Sequence, residues 1–187
     1  KSRKTVREWI EDLWQIYYPY ADKHFAKEFK LNFGHRAWEL YLGSTFLKRG
    51  YALEKVKQGP DFKVRKNDFH AFVEAVAPHQ GSGPDRVPDM VNGQVMTVPV
   101  DQMILRLTTS LSDKKKTYDE YLNKGIVKEG DPFVIALNRS SFMHPDPMLP
   151  LVIKCLFGVG DLVMKFPINT ATGGPIRRAK STTSWSG

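Results

Sequence analysis

A lone acid inside an apolar strand is the most demanding thing this sequence asks of its fold. The run Asp68-Phe69-His70-Ala71-Phe72-Val73-Glu74-Ala75-Val76-Ala77 carries Glu74 in its middle, and Pro78 stops it. Side chains alternate across a strand, so Phe72, Glu74 and Val76 share one face while Val73, Ala75 and Ala77 share the other. Both faces are largely apolar, which places the strand at the centre of a sheet, covered on both sides. A carboxylate held there is costly unless it is paired or meets a cation.

A second acid is brought near by the local chain. Gly59-Pro60-Asp61 opens a short β-like run over Phe62 to Arg65, and the turn Lys66-Asn67-Asp68 reverses direction into the arm with Glu74. The hairpin joins Asp61 and Glu74 into a candidate hard-cation site. Two plainer roles stand beside that one. An aspartate after a proline is commonly a turn residue, and Glu74 could serve a structural salt bridge with Lys114 or Arg106.

Upstream, residues 3–29 read as two helices. Val6, Trp9, Ile10, Leu13, Trp14 and Tyr17 recur at three- and four-residue spacing, and Tyr18-Pro19-Tyr20 breaks the pattern. The aromatic density of this region suits core packing better than a nucleobase-stacking surface, because helical spacing accounts for most of it. Gly34 to Gly50 forms the next helix, with Lys48 and Arg49 in its last turn. Glu39 lies at the edge of that helix's apolar stripe, where a solvated glutamate is the ordinary expectation. Tyr51 to Val56 alternates as a half-buried strand.

Downstream of the hairpin, the segment from His79 to Pro99 is a long loop rich in Gly, Pro, Asp and Asn, and such loops are more often functional than idle. His79 and His144, both in loops, are expected to be solvated. Val100 to Lys124 is the strongest helix, with Ile104, Leu107, Leu111, Tyr118 and Leu122 along one stripe. Lys114 fills the gap in that stripe and is expected to point inward, while Lys115 and Lys116 turn toward solvent. Arg106, Ser110, Lys114 and Tyr118 align along one polar edge. Pro132 to Asn138 is a continuous apolar run, expected as a buried parallel strand. A helix from Pro147 to Phe157 and a strand from Asp161 to Phe166 are expected to follow.

Size and charge narrow the function. With 187 residues, 41% of them hydrophobic, the chain supports a real core. Its 28 basic against 20 acidic residues give a net +8, which favours polyanionic partners. One cysteine, Cys155, excludes an internal disulfide and a cysteine-rich zinc site, and its apolar surroundings predict a buried thiol. No apolar run is long enough to span a membrane, and the first residues lack a secretory h-region, so a cytoplasmic location without membrane association is expected. The basic start and the Ser/Thr/Gly-rich finish lead us to expect a natural chain that continues past both ends. No P-loop, nucleophile elbow or dinucleotide-binding glycine pattern occurs.

The order helix, strand, strand, strand, helix, strand, with an acid on the first helix, Pro-Asp at the second strand and an acid inside the third, resembles the PD-(D/E)xK nuclease superfamily. The match covers Gly34 to Asn138, and Trp38-Glu39-Leu40-Tyr41-Leu42-Gly43, Gly59-Pro60-Asp61-Phe62 and Val73-Glu74-Ala75-Val76-Ala77-Pro78 are similar to an uncharacterised prokaryotic branch of it. The resemblance implies a three-layer α/β/α restriction-endonuclease-like core with a mixed central sheet over 34–187, behind a helical N-terminal extension over 1–33. It also implies a Mg²⁺-dependent nuclease acting on DNA, with Mn²⁺ as an alternative ion and a homodimer as a compatible assembly. Asp61, Glu74 and the backbone carbonyl of Ala75 would be metal ligands, and Glu39 would orient a metal-bound water or a second ion. Val76 stands where the family has its catalytic lysine. Either that lysine has migrated to the following helix, where Lys114 is the first candidate and Lys115 the second, or the site is inactive. Arg106, Ser110 and Lys115 are candidate nucleic-acid contacts. The alternatives are a non-catalytic nucleic-acid-binding module on the same fold and a protein-interaction domain.

Overall fold

The computed structural model describes residues 3–54, 56–144 and 150–159. They form a mixed α/β fold with five α-helices and one four-stranded sheet. The helices are α1 (Arg3–Tyr17), α2 (Phe25–Leu31), α3 (Phe33–Lys48), α4 (Val100–Asn123) and α5 (Leu151–Phe157). The strands are β1 (Ala52–Glu54), β2 (Phe62–Lys66), β3 (Phe69–Val76) and β4 (Phe133–Leu137), in the spatial order β1-β2-β3-β4. The strand expected from Asp161 lies outside the described residues, as does the start of the helix expected from Pro147.

The β2–β3 hairpin is the antiparallel half of the sheet. Its ladder runs from Phe62↔Val73 to Lys66↔Phe69, closed by a turn in which Asn67 adopts a left-handed φ of 51°. Asparagine tolerates that region better than most residues, so the turn suits its sequence. β4 joins β3 in parallel, Glu74 facing Ile135 and Val76 facing Leu137, with α4 in the intervening crossover. A parallel pair cannot be closed by a tight turn, which accounts for a helix between these strands.

Alternation along β3 sorts its side chains between two sets of helices. Ala71 and Val73 join Phe62 and Val64 in a cluster with Leu13 and Tyr17 of α1, Phe25 of α2 and Leu40 of α3. Phe72 packs instead with Tyr121 and Val127, flanked by Tyr118, Leu122 and Phe133. Burying each of these large side chains contributes about 1.5–3 kcal/mol, so helices α1 to α3 are fastened to the sheet by several such contacts. A third cluster ties Met103 and Leu107 of α4 to Leu151 of α5, to Val87 in the long loop and to Phe142. That loop is therefore anchored at its middle by a wholly buried valine.

Four expectations need correction. The β4 strand is only half-buried, with Val134 47% exposed, because among the described residues it is an edge of the sheet rather than its interior. The inward side of α4 is carried by Met103, Leu107 and Tyr121 more than by Leu111 and Leu122. Cys155 is half-buried, its thiol 3.8 Å from the Ile104 carbonyl. His144 is buried, with Nε2 2.8 Å from the Pro88 carbonyl, so it joins the loop to the chain after β4. No helix among the described residues is long and apolar enough to cross a membrane.

Candidate functional site

The site is built just before β2 begins, where β3 runs on past it beside β4. Carrying the ladder one step past Phe62↔Val73 sets Asp61 opposite Glu74, so the two acids meet across the hairpin as their spacing requires. The approach to Asp61 is tightly shaped. A side chain at Gly59 would fall 2.3 Å from Val56 Cγ1 and 2.9 Å from Ile126 Cγ2, so only glycine fits beneath them. Pro60, next in line, is fully buried.

Each acid has a different set of partners. Asp61 Oδ2 accepts the Ala75 backbone N–H at 2.7 Å. Glu74 Oε1 accepts from Lys114 Nζ at 2.6 Å, while Glu74 Oε2 is buried with no hydrogen-bond partner. Glu74 as a residue is only 5% exposed. An orphaned carboxylate oxygen in that setting is a costly group that a cation or an ordered water would satisfy. Burial, and then the Glu74 carboxylate, push the Asp61 carboxyl up to about 7 against the pull of the Ala75 N–H and Lys114. A carboxyl raised by burial and by a second acid marks a place short of positive charge.

Lys114 stands where its place in the α4 stripe predicts. Its ammonium reaches across from α4 to β3, so Lys114 and not Arg106 is the partner of Glu74. Arg106 instead donates from Nε to the His79 carbonyl, and its guanidinium lies against Gly81. Lys115 pairs with Asp119 on the solvent side, its side chain 73% exposed. Ser110 is half-buried on the same helix. Arg106 and Lys115 are thus engaged away from the acid pair.

Glu39 departs most from its sequence expectation. It is 5% exposed, not solvated. Tyr17 donates its hydroxyl to Oε1 at 2.8 Å, and Arg36 donates to Oε2 at 2.5 Å. Arg36 also pairs with Glu28 and with Asp22, so one guanidinium ties three acids together. Burial and the Glu39 carboxylate raise the Tyr17 hydroxyl well above the ordinary phenol range, which keeps it a donor. The contact depends on Gly43, one turn after Glu39: a Cβ there would lie 2.4 Å from the Tyr17 ring. A cleft of about 250 Å³ runs beside this group, lined by Tyr17, Asp22, Arg36, Glu39, Glu54 and Asp61.

His35 was not singled out by its sequence context. Its Nε2 lies 3.1 Å from the Ala75 carbonyl oxygen. Because that oxygen only accepts, Nε2 must carry the proton. Burial, with Lys114 and Arg36 adding to it, lowers the tendency of this imidazole to protonate further, although Glu39 opposes them. The signal that could have found it is its place one turn before Glu39, on the same side of α3.

Among the described residues, no group of three or more His, Cys, Asp or Glu is arranged to hold a metal ion. The donors at Asp61, Glu74 and Ala75 nevertheless fit Mg²⁺, which binds through one or two carboxylates and keeps several waters. The orphaned Glu74 Oε2 is the observation that carries the fit. Compared with known proteins, the chain matches no family model, no curated protein and no solved structure.

Proposed function

We propose that this chain is a metal-dependent nuclease that hydrolyses phosphodiester bonds in DNA, on a three-layer α/β/α restriction-endonuclease-like core over 34–187 with a helical extension over 1–33. The observation that carries it is the 2.6 Å contact from Lys114 Nζ to Glu74 Oε1, beside the orphaned Glu74 Oε2 and within electrostatic range of Asp61. A lysine that interrupts an apolar stripe, and reaches the acid rather than solvent, supplies from α4 the cation that Val76 cannot supply from β3. The sorting of Ala71 and Val73 to one set of helices and Phe72 to another supports the layered core.

Asp61, Glu74 and the Ala75 carbonyl would hold Mg²⁺, or Mn²⁺, which when bound acidifies water and shields charge on the phosphate. Asp61 and Glu74 supply the negative charge that keeps such an ion. Lys114 orients the attacking water from its fixed position on Glu74 and offsets the charge that develops on the phosphoryl oxygens. The net +8 of the chain supplies general attraction to the backbone of DNA, to which exposed Lys115 contributes. Glu39, with both oxygens engaged, serves the fold rather than a second ion.

Plasmid cleavage with Mg²⁺ and with chelator tests this function. Wild type cuts only with the metal, and Asp61→Ala, Glu74→Ala and Lys114→Met each lose activity. Cleavage indifferent to all three substitutions would overturn it. One observation favours a binding module instead: Val76, at the position of the motif lysine, is buried and apolar. That rival is recognised by salt-sensitive DNA binding without metal and without cleavage.

A further inference from the structure

The hairpin frees one backbone carbonyl by placing a proline opposite it. In β3 the amides of Phe72 and the carbonyl of Val76 bond toward the β4 side, through Pro132 and Asn138. Residues alternate in this respect, so the N–H and C=O of Ala75 face the β2 side. Continued two steps past Phe62↔Val73, the ladder would set Pro60 opposite Ala75. In a regular antiparallel pair the residue at 60 would donate its N–H to the Ala75 carbonyl, and proline has none to give. The Asp61 side chain takes the Ala75 N–H, at 2.7 Å. The carbonyl of Ala75, a residue with 0% exposure, instead meets His35 Nε2 at 3.1 Å.

We propose that His35 is a positioning residue for the metal site: Pro60 keeps the Ala75 carbonyl out of the ladder, and His35 holds that carbonyl toward the ion. This rests on the metal-dependent reading above. A carbonyl oxygen has two lone pairs, so the imidazole N–H occupies one and leaves the other for a cation. Partners that hydrogen-bond a metal's ligands fix their orientation, and losing one typically weakens metal binding about 10- to 100-fold. The other two donors are set by the hairpin itself, Asp61 by the Ala75 N–H and Glu74 by Lys114. His35 is the contribution of α3 to the same centre.

Mn²⁺ binding to the full chain without DNA, followed by electron paramagnetic resonance of the free ion, tests the assignment. His35→Phe, which keeps the ring and loses the donor, should weaken binding about tenfold. His35→Gln, whose amide restores an N–H at a similar reach, should recover most of that loss. Pro60→Ala returns an N–H that can capture the Ala75 carbonyl, so it should also weaken Mn²⁺ binding in protein that still folds, as read by an intact cooperative melt of the metal-free chain. Equal Mn²⁺ affinity for wild type, His35→Phe and Pro60→Ala, with binding still lost in Glu74→Ala, would overturn the role of His35 and leave the metal site standing. Binding unchanged in Glu74→Ala and Asp61→Ala would overturn the metal site and this inference together.

Discussion

Glu39 and Glu74 are the same residue type at the same 5% exposure, and they are used in opposite ways. Glu39 has a neutral donor on one oxygen and a guanidinium on the other, so its charge is fully answered by protein. Glu74 has one ammonium on Oε1 and nothing on Oε2. A buried acid that is completely satisfied belongs to the architecture, because loading a ligand there would first require breaking existing bonds. A buried acid left half-satisfied is poorly explained by architecture alone, since the orphaned oxygen costs stability. Burial therefore does not identify a working carboxylate; its unfilled valence does.

The sharpest way to break the comparison is on stability. Glu39→Ala leaves the buried Tyr17 hydroxyl unpaired and takes from Arg36 its most buried acid, with only Glu28 and Asp22 left to it, and should cost about 3–5 kcal/mol in urea unfolding. Glu74→Ala in metal-free protein should cost well under half of that, because it also removes the orphaned oxygen. Similar costs for both would mean that Glu74 is as structural as Glu39. Next in size is Lys114→Met, which should lower cleavage by roughly 10²–10³-fold and, by stripping buried Glu74 of its cation, also lower the metal-free melting temperature.

A pH series then sharpens the acid pair. Asp61 binds its proton more tightly in the folded chain, with its pKa up to about 7 from an ordinary 3.8. The folded state thus holds more protons than the unfolded one between those values, and metal-free stability should fall as pH rises through that window. Asp61→Asn should flatten the fall, and added Mg²⁺ should reverse it above neutrality; a slope unaltered by either would remove Asp61 from the charge-poor centre. The smallest expected effect is Gly43→Ala. The added methyl displaces the buried Tyr17 ring and should cost about 1–3 kcal/mol, with no change in Mn²⁺ affinity.

What could be read from the sequence follows from how far each partner lies along the chain. The hairpin, its turn at Asn67 and the opposition of Asp61 to Glu74 are local, and alternation alone located them. Lys114 was legible because a cation in an apolar stripe demands an acid nearby. Glu39 was not, since its burial depends on Tyr17, a stripe residue 22 positions earlier, and on the missing side chain of Gly43. His35 was missed, and His144 misjudged, for a related reason. Each meets a backbone carbonyl, Ala75 or Pro88, and carbonyls leave no trace in a sequence. The half-exposure of β4 depends on sheet order, which apolar content does not reveal.

The separation of these partners along the chain also sets an order of assembly. Asp61 and Ala75 are 14 positions apart, whereas Glu74 and Lys114 are 40 apart across the α4 crossover. Hairpins close in about 1–10 μs, while long-range pairings must first overcome a larger loop-closure entropy. The two carboxylates therefore meet before their lysine arrives, as a repelling pair that early folding must tolerate. Docking of α4 then relieves that repulsion as well as covering Phe72, so the step that completes the charge balance is also the one that locks β4 onto the sheet.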